Sequence, residues 1–410
     1  MKILFLTHYF PPEINAPASR TFEHCREWVR AGHHVTVVTC VPNHPRGEAY
    51  PGYRNRLWQR ETREGIEVIR LWTWLSANEG FLLRTVNYVS YLVAVTLALP
   101  WLPRPSVVIS TSPQFFCGLA GYVVSRAKRC PWVLEVRDLW PESILAVGAI
   151  RNRCVIDLLV RLERFAYRRA SHIVPVTDAF AEHMTRRAGV PADKITVIKN
   201  GVALEFFVRD TDGTATRARH ALGERVVAAY FGTHGMAHHL ETVFDAAARL
   251  AHRHDIVFLL VGDGAERVRL LAERERRGLD NVIMLGQQPK ERMPELWAAA
   301  DISLVLLRRS PLFETVLPSK IFEAMGMACP IVLGVSGEAR ELLEAAGAGL
   351  AIEPEDDAAL AVAVERLADD VGERRRLGEQ GHAYVTTHFD RRRLAARYLG
   401  LLGAVTAEAA

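Results

Sequence analysis

The sequence of 410 residues has no cysteine pair of the kind that binds a metal or closes a disulfide. No CxxC motif occurs, and no histidine lies at zinc-site spacing from a cysteine. We therefore expect buried, unpaired thiols in a reducing cytosol, which excludes a disulfide-rich scaffold and a structural zinc site. The six scattered cysteines are Cys25, Cys40, Cys117, Cys130, Cys154 and Cys329.

The sequence also lacks an apolar run long enough to span a bilayer. A spanning helix needs ~20 apolar residues, and the most apolar segment, residues 81–102, is interrupted by Arg84 and Pro100. The N-terminus, MKILFLTHYFPP, has one lysine and a short apolar run before a proline pair. That pattern predicts a first strand and not a signal peptide. These absences predict a cytoplasmic protein.

Residues 81–102 allow two interpretations. They fit a buried crossover helix, and they equally fit a helix lying in a membrane interface with Trp101 and Arg104 at headgroup level. Residues 1–208 hold 26 Lys plus Arg against 17 Asp plus Glu, whereas the remainder holds 25 against 30. Without a compact basic run and interleaved aromatics, this charge indicates a phospholipid surface or a phosphate-bearing substrate and not a nucleic acid.

A βαβ rhythm runs through the chain and starts twice, at KILFLT and again at VVAAYFG. It predicts an α/β protein with two doubly wound, Rossmann-like parallel-sheet domains that face a ligand-binding cleft. The polar segment 209–224 is the predicted linker. The predicted domains are residues 1–208, residues 209–388, and a final amphipathic helix, residues 389–410, that packs back on the first domain.

Neither first strand-to-helix turn contains GxGxxG, which argues against a dinucleotide dehydrogenase. The turn of the first domain, residues 7–20, carries three prolines and a small-residue tip at Asn15 and Ala16. We interpret this turn as a wall on the acceptor side of a site. The alternative is a stiff loop without a functional role.

The corresponding turn of the second domain reads GTHGMAHH. Gly232 and Gly235 would let the backbone approach a phosphate closely. His234 and His238 are candidate phosphate contacts, and exposed helix surface is the alternative. No carboxylate lies at a spacing that completes a metal site with them, so no metal is expected.

The segment VLPSKIFEAM, residues 316–325, is the strongest candidate for a binding site. Pro318 predicts a helix start, with Ser319 and Lys320 in the first turn and Glu323 one turn further on. A helix N-terminus with a hydroxyl and an ammonium is suited to a diphosphate. Only six lysines occur in the chain, so a lysine here is informative. The alternative is a solvated Lys320 and a Glu323 that favours the helix dipole.

Several motifs in this order resemble the family 4 retaining glycosyltransferases of the GT-B fold, over nearly the whole chain. They are HYFPPEINAPASR, VLEVRDLWPES, VIKNGVALEFF, LLVGDG and LPSKIFEAMG. The likeness is to the bacterial surface-polysaccharide subgroup of the fucosamine and colanic acid transferase type, which includes O antigen and exopolysaccharide synthesis. It implies sugar transfer with retention from a nucleotide-diphosphate donor, UDP-linked or similar, to a lipid-linked or saccharide acceptor, without a cofactor.

The same resemblance implies roles for individual residues. Glu323 matches the second glutamate of a paired motif and would bind the ribose hydroxyls. The first glutamate falls at Thr315, beside Glu314, so these two are the candidates for holding the donor sugar. The basic pair that relatives place on the diphosphate falls within GTHGMAHH, so Lys320 would supply the missing charge.

A mechanism follows from the charge of the leaving group. Lys320, Ser319 and the backbone of residues 232–235 would stabilise the leaving diphosphate. Asp138 or Glu142, after the strand WVLEVRD, would accept the proton of the acceptor hydroxyl. Asp138 equally fits a helix N-cap. Two other functions fit the architecture: a UDP-sugar 2-epimerase, and a nucleotide-sugar-binding protein without catalysis.

Overall fold

The chain divides into two compact units in a computed structural model. Unit 1 comprises Met1–Lys199 with Arg392–Ala410, and unit 2 comprises Asn200–Arg391. The structure describes residues 1–44, 46–76, 81–112, 114–142 and 152–409.

Unit 1 is built on a seven-stranded sheet in the order β3-β4-β2-β1-β5-β6-β7. Neighbouring strands are parallel except β3 and β4, which form an antiparallel edge. Apolar, β-branched inner strands are typical of a sheet covered on both faces. The strands are β1 (Lys2–Leu6), β2 (His34–Cys40), β3 (Trp58–Arg63), β4 (Ile66–Leu71), β5 (Val107–Thr111), β6 (Trp132–Val136) and β7 (His172–Pro175).

Unit 2 is built on a six-stranded, fully parallel sheet in the order β10-β9-β8-β11-β12-β13. The strand order reverses between β8 and β11, which makes that point the topological switch. The prediction of two doubly wound parallel sheets is thus confirmed. The strands are β8 (Val226–Phe231), β9 (Ile256–Val261), β10 (Val282–Leu285), β11 (Ile302–Leu306), β12 (Ile331–Gly334) and β13 (Gly349–Ala351).

Helices connect the strands of both sheets. In unit 1 they are α1 (Ala16–Arg30), α2 (Phe81–Ala98), α3 (Phe115–Lys128), α4 (Arg153–Arg169) and α5 (Asp178–Ala188). In unit 2 they are α6 (Thr214–Arg219), α7 (Glu241–Arg249), α8 (Arg267–Arg277), α9 (Met293–Ala298), α10 (Lys320–Gly326), α11 (Glu338–Ala346), α12 (Asp357–Asp369) and α13 (Val371–His388). The last helix is α14 (Arg391–Glu408).

Helix α14 contributes its apolar face to the core of unit 1. Trp28 donates its Nε1–H to the carbonyl of Ala395 at 2.9 Å. The ring of Tyr398 lies edge-on to Trp28 with the centroids 5.4 Å apart. Leu394 and Leu402 are buried in the same cluster. The end of the chain therefore completes the unit in which the chain begins.

The predicted linker, residues 209–224, is packed within unit 2. It contains α6, from which Arg217 donates to Asp301 at 2.6 Å. A side chain at Gly213 would meet the backbone of Ala298 at 2.6 Å. The structural boundary instead lies at Lys199–Asn200, upstream of the position expected after residue 208. The polar composition of this segment indicated a linker between domains, but it instead reflects the exposed side of a short helix that is packed within unit 2.

Two segments depart from the strand pattern of the sequence. ITVIKN, residues 195–200, is as apolar and β-branched as a strand, but it forms only an isolated bridge between Ile195 and Ile173. Its end is held by the buried guanidinium of Arg20, which donates to the carbonyls of Ile198 and Lys199, each at 2.8 Å. Strand β3 was missed because its sequence, WQRETR, is mostly polar, as suits a partly exposed edge.

Helix α2 has two distinct faces. One face is buried in unit 1, where Tyr91 donates its hydroxyl to the carbonyl of Val38 at 2.7 Å. The buried-helix interpretation is right for this face. The other face is apolar and exposed, from Leu83 to Leu97 and on to Trp101. Across the described parts of the chain, no helix is both long and apolar enough to cross a membrane.

All six cysteines are unpaired. Cys154 is exposed and Cys130 is half-buried, so the expectation of buried thiols is wrong for Cys154. The other four are buried, where they pack as small apolar side chains.

Candidate active site

The best-developed site lies at the carboxyl ends of β8 and β11, where the strand order of unit 2 reverses. In open parallel sheets this is where ligands bind. The turn after β8, residues 232–239, is tied to the end of β11 by two contacts. His238 Nδ1 lies 3.2 Å from the carbonyl of Leu306, and the amide of Arg308 donates to Ala237 at 2.8 Å. The switch point is therefore lined by a fixed backbone.

A second glycine turn, after β9, holds the first one in place. Gly262 has φ +154°, and a side chain there would meet the carbonyl oxygen of Gly232 at 1.8 Å. The amide of His234 donates to Asp263 at 2.9 Å, and the amide of Glu266 donates back to His234 at 2.9 Å. The two turns are thus interlocked, which gives the GDG sequence a structural role.

The two glycines singled out in the first turn differ in what they require. Gly232 has φ +145°, a conformation that favours glycine, and a side chain there would lie 2.9 Å from Lys320 Nζ. Gly235 has φ −121°, which any residue adopts. We therefore expect that Gly232, and not Gly235, is the position at which the backbone can approach a phosphate closely.

Lys320 reaches back from α10 to this turn. The residue is partly exposed, but its Nζ is shielded from solvent and has no hydrogen-bond partner among the described residues. Nζ lies 3.8 Å from the ring centroid of Tyr230. Burial lowers the pKa of Lys320 to about 7, while the charge of Glu323 opposes that shift. The site therefore holds a cation whose protonation is balanced near neutral pH.

Both predicted histidines are close to Lys320 and are uncharged at neutral pH. Burial lowers the pKa of His234 to about 4, and the charge of Arg267 adds to the shift. Burial lowers the pKa of His238 to about 3, and the charge of Lys320 adds to it. The predicted alternative of solvated helix surface is wrong for both, because His234 is fully buried and His238 is partly buried.

Helix α10 is shorter and begins later than the sequence indicated. It has seven residues and starts at Lys320, two positions after Pro318. Ser319 occupies the N-cap position, and its hydroxyl makes no capping hydrogen bond. Glu323 lies in the first turn and is partly exposed. The positive charge of this site therefore comes from the Lys320 ammonium beside the Gly232 turn and not from a capped helix terminus.

The two candidates for holding the donor sugar differ in their contacts. Thr315 donates its hydroxyl to the carbonyl of Leu312 at 2.6 Å, within its own turn. Glu314 is exposed, and its backbone packs against Gly337, where a side chain would meet the Glu314 carbonyl oxygen at 2.1 Å. The structure therefore leaves the Glu314 carboxylate, and not the Thr315 hydroxyl, available to a ligand.

In unit 1, two side chains fix the predicted acceptor-side loop, and the sequence indicated this structural role for neither of them. Asn15 caps α1 by accepting from the amide of Ala18 at 2.9 Å, and Ala16 is exposed beside it. Glu13 was missed: its buried carboxylate accepts from the amides of Phe10, Asn43 and His44. No sequence signal marks Glu13, because its partners are backbone groups.

Asp138 and Glu142 follow β6 in unit 1, and Asp138 shares a pocket with a third carboxylate, Glu163. Asp138 lines an apolar pocket with Phe115, Trp140 and the buried Glu163. It lies in a bend four positions before Glu142, the next described helical residue, so Asp138 is not at a helix N-cap position. Burial raises the pKa of Glu163 to about 7, although Tyr167 donates to its carboxylate at 2.8 Å.

Glu142 is paired with a histidine that the sequence did not point to. His183 Nε2 lies 3.3 Å from Glu142 Oε1. Burial alone would raise the pKa of Glu142, but the hydrogen bond and charge of His183 lower it overall. Over the described ranges, no group of three or more His, Cys, Asp or Glu side chains is arranged to hold a metal ion.

Two protein-family models match the chain. One, described as a glycosyl transferase 4-like domain, matches residues 15–201. The other, described as glycosyl transferases group 1, matches residues 214–384. Together they span both units, and neither describes a sugar-nucleotide epimerase. The sequence-based choice of a transferase over an epimerase is thus confirmed.

Individual relatives agree with these models. The putative colanic acid biosynthesis glycosyl transferase WcaI of Escherichia coli K12 is 26% identical over 381 residues, which cover 89% of this chain and 92% of that protein. Sucrose-phosphate synthase from Thermosynechococcus elongatus has a similar structure, with a TM-score of 0.78, 18% identity and 99% of both chains covered. HepE of Anabaena, in complex with UDP-glucose, has a TM-score of 0.73 and 19% identity, with 98% of this chain and 100% of that chain covered. The chain therefore belongs to the family 4 glycosyltransferases of the GT-B fold.

Proposed function

We propose that this glycosyltransferase moves a sugar, with retention, from a UDP-linked donor to a lipid-linked or saccharide acceptor in surface-polysaccharide synthesis. The observation that carries the donor assignment is the shielded ammonium of Lys320, which has neither a hydrogen-bond nor an ion-pair partner in the described chain. A diphosphate would supply that partner. The complex of HepE with UDP-glucose supports the donor class, and the similarity to WcaI supports the polysaccharide assignment.

The leaving group determines what the unit 2 residues do. As the sugar–phosphate bond breaks, negative charge grows on the diphosphate, and a preorganised cation stabilises it most effectively in a water-poor site. Lys320 is that cation, Gly232 lets the backbone approach, and the uncommitted hydroxyl of Ser319 adds a donor. We propose that the partly exposed His238 contacts the phosphates as a neutral ring, whereas the fully buried His234 holds the turn. We propose that this charge, without a metal ion or another cofactor, serves the leaving group.

The nucleoside and the sugar are assigned to the two glutamates nearby. Glu323 lies one turn along α10 from Lys320, and we propose that its carboxylate accepts hydrogen bonds from the ribose hydroxyls. Glu314 takes the donor sugar's hydroxyls, because Thr315 uses its own hydroxyl within the turn. Carboxylates bind vicinal hydroxyls well since both oxygens accept.

Proton removal from the acceptor is assigned to unit 1. We propose that Asp138 accepts the proton, because it lines a pocket with aromatic walls. Glu142 is kept ionised by His183 and therefore is a weaker base. In this assignment Glu142 holds a negative charge near the acceptor, and the loop at Asn15 and Ala16 forms the acceptor-side wall.

Replacement of Lys320 tests the donor assignment. Loss of a hydrogen bond to a charged group costs ~1.5–3 kcal/mol, so Lys320→Met should weaken UDP binding by about 10- to 100-fold in calorimetry. Lys290→Met is a matched control, since Lys290 also lies over an aromatic ring, that of Phe206 at 5.4 Å, but outside the Gly232 turn. Equal UDP affinity in both variants would remove the basis of the proposal.

We also propose that unit 1 binds the cytoplasmic face of an anionic membrane through an apolar strip. The exposed positions of α2 recur every three or four residues, as on one helix face. Trp74 adjoins α2 and extends the strip, since its amide donates to the hydroxyl oxygen of Ser90 at 2.8 Å. The strip consists of Trp74, Leu83, Val86, Val93, Leu97 and Trp101, which are between 40% and 68% exposed.

Basic residues border the end of this strip, and their charge favours an anionic lipid surface over a protein partner. Arg104 is exposed, and both it and Lys128 act electrostatically on Cys130, which places them close together. Trp at the edge of an apolar face with adjacent cations is typical of interfacial helices. The lipid-linked acceptor would then be reached at the same surface.

Vesicle flotation tests the membrane proposal. Placing a charge in the strip by Leu97→Glu removes burial of a leucine, about 1.5–3 kcal/mol, and should reduce binding to phosphatidylserine vesicles by more than tenfold. Val362→Glu is the control, because Val362 is 65% exposed on α12 of unit 2 and does not belong to the strip. If Leu97→Glu floats as wild type does, the strip does not bind lipid.

A further inference from the structure

One buried side chain, Tyr230, contacts both parts of the site that face the proposed diphosphate. It lies at the end of β8 and is fully buried. Its hydroxyl donates to the carbonyl of Thr233 at 2.8 Å, and its ring lies beneath Lys320 Nζ at 3.8 Å. The same ring lies 5.8 Å from His238 and 6.1 Å from His234, centroid to centroid. Tyr230 therefore occupies the centre of the cluster.

The ring replaces a counter-ion. A buried ammonium is normally held by a carboxylate, which neutralises it. Lys320 forms no ion pair in the described chain, and Glu323 acts on it only electrostatically. An aromatic face attracts a cation without cancelling its charge or using its three N–H donors. Lys320 is thus held in place while its hydrogen bonds stay available.

The hydroxyl fixes the turn. Thr233 follows Gly232, whose φ of +145° places the backbone against Lys320 Nζ. Burial raises the pKa of Tyr230 above its usual range, so its hydroxyl is protonated and can donate at neutral pH. A bond from a rigid strand residue to the carbonyl three positions on holds the turn close to the strand end.

We propose that Tyr230 is a positioning residue for donor binding, which holds the Lys320 ammonium with its ring and the Gly232 turn with its hydroxyl. The inference rests on the proposed donor site, but it concerns a residue that does not itself contact the nucleotide. It predicts separable losses. Tyr230→Phe keeps the ring and removes the hydroxyl, whereas Tyr230→Leu removes both.

The ring contact is testable without any ligand, because the chain has only six lysines. In protein labelled with ¹³C-lysine, the Lys320 Hε resonance, assigned by its absence in Lys320→Met, should be shifted upfield by the ring. The shift should persist in Tyr230→Phe and disappear in Tyr230→Leu, while the second ring-facing lysine, Lys290, stays unchanged. An unshifted Lys320 resonance in wild type, or one that Tyr230→Leu leaves in place, would overturn the inference.

A double-mutant cycle with UDP as the probe separates positioning from a general effect on the fold. Relative to Tyr230→Phe, which already lacks the hydroxyl, Tyr230→Leu should weaken UDP binding about tenfold when Lys320 is present and by less than twofold in the Lys320→Met background, because the ring acts through the ammonium. Equal losses in both backgrounds would refute the positioning role. If Lys320→Met alone leaves UDP binding intact, the donor site is wrong, and the cycle then also refutes a role for Tyr230 in binding.

Discussion

Donor binding should take up a proton above neutral pH, because of Lys320. Its ammonium is buried and has no hydrogen-bond partner within the part of the chain that the structure describes, and burial lowers its pKa to about 7. A diphosphate favours the charged form and raises that pKa in the complex. The neighbouring groups do not interfere: burial lowers the pKa of His234 and of His238 to about 4 and about 3, and raises that of Tyr230.

The size of the effect follows from the pKa of about 7. One pH unit above it, roughly 0.9 of the free protein molecules carry a neutral Lys320, so UDP binding takes up about 0.9 proton; one unit below, uptake falls to about 0.1. The affinity should therefore be nearly constant below pH 7 and fall about tenfold per unit above it. The affinity falls as the pH rises because burial in the free protein disfavours the charged form of Lys320, whereas a bound diphosphate favours it.

Calorimetric titration with UDP in two buffers of different ionisation enthalpy measures this uptake directly. The difference between the observed enthalpies, divided by the difference between the buffer enthalpies, gives the number of protons. UDP itself is fully ionised at about pH 8, so it contributes little there. Lys320→Met should abolish the uptake, and Lys290→Met should preserve it. Proton release at the higher pH, or equal uptake in both variants, would refute the reasoning.

Two further predictions concern single contacts. Arg20→Met should destabilise unit 1 by ~3–5 kcal/mol in urea unfolding, because it leaves Glu135 buried without its ion-pair partner. Arg186→Ala removes an exposed ion pair and should change the stability by less than about 1 kcal/mol. Comparable losses in the two variants would contradict the burial argument. Glu314→Gln should lower kcat/KM by about 10- to 100-fold and Thr315→Val by less than about twofold, because only the carboxylate is uncommitted. The reverse order would reassign the sugar contact to Thr315.

The sequence predicted the regular part of the fold well, because strand periodicity is local. KILFLT and VVAAYFG are short, nearly continuous apolar runs, which are typical of strands in a parallel sheet that helices cover on both faces. The linker prediction failed for a non-local reason. Residues 209–224 are polar, but the bond from Arg217 to Asp301 joins positions 84 apart in the chain, and no local pattern reports such a contact.

In the candidate site too, residues with a local sequence signal were predicted, whereas a residue that depends on a non-local contact was not. Lys320 and Gly232 were found because a lysine is rare in this chain and a glycine marks a special backbone position. Tyr230 was not found, because a tyrosine within an apolar strand looks like any core residue. Its proposed role depends on Lys320, which lies 90 positions further along the chain and contacts it only in the folded unit.

The use of a lysine at position 320, in a chain that has few lysines, has a physical explanation. An arginine keeps its charge under all conditions, so a guanidinium shielded from solvent without a counter-ion would destabilise the free protein. A lysine can release its proton when the site is empty and regain it when an anion arrives, and an aromatic ring holds it without competing for the charge. A chain that uses arginine almost everywhere else therefore has a reason to use lysine at this position. The ability of Lys320 to lose its proton limits the cost of burying it in the empty site, and it also makes the charge of the site depend on the ligand.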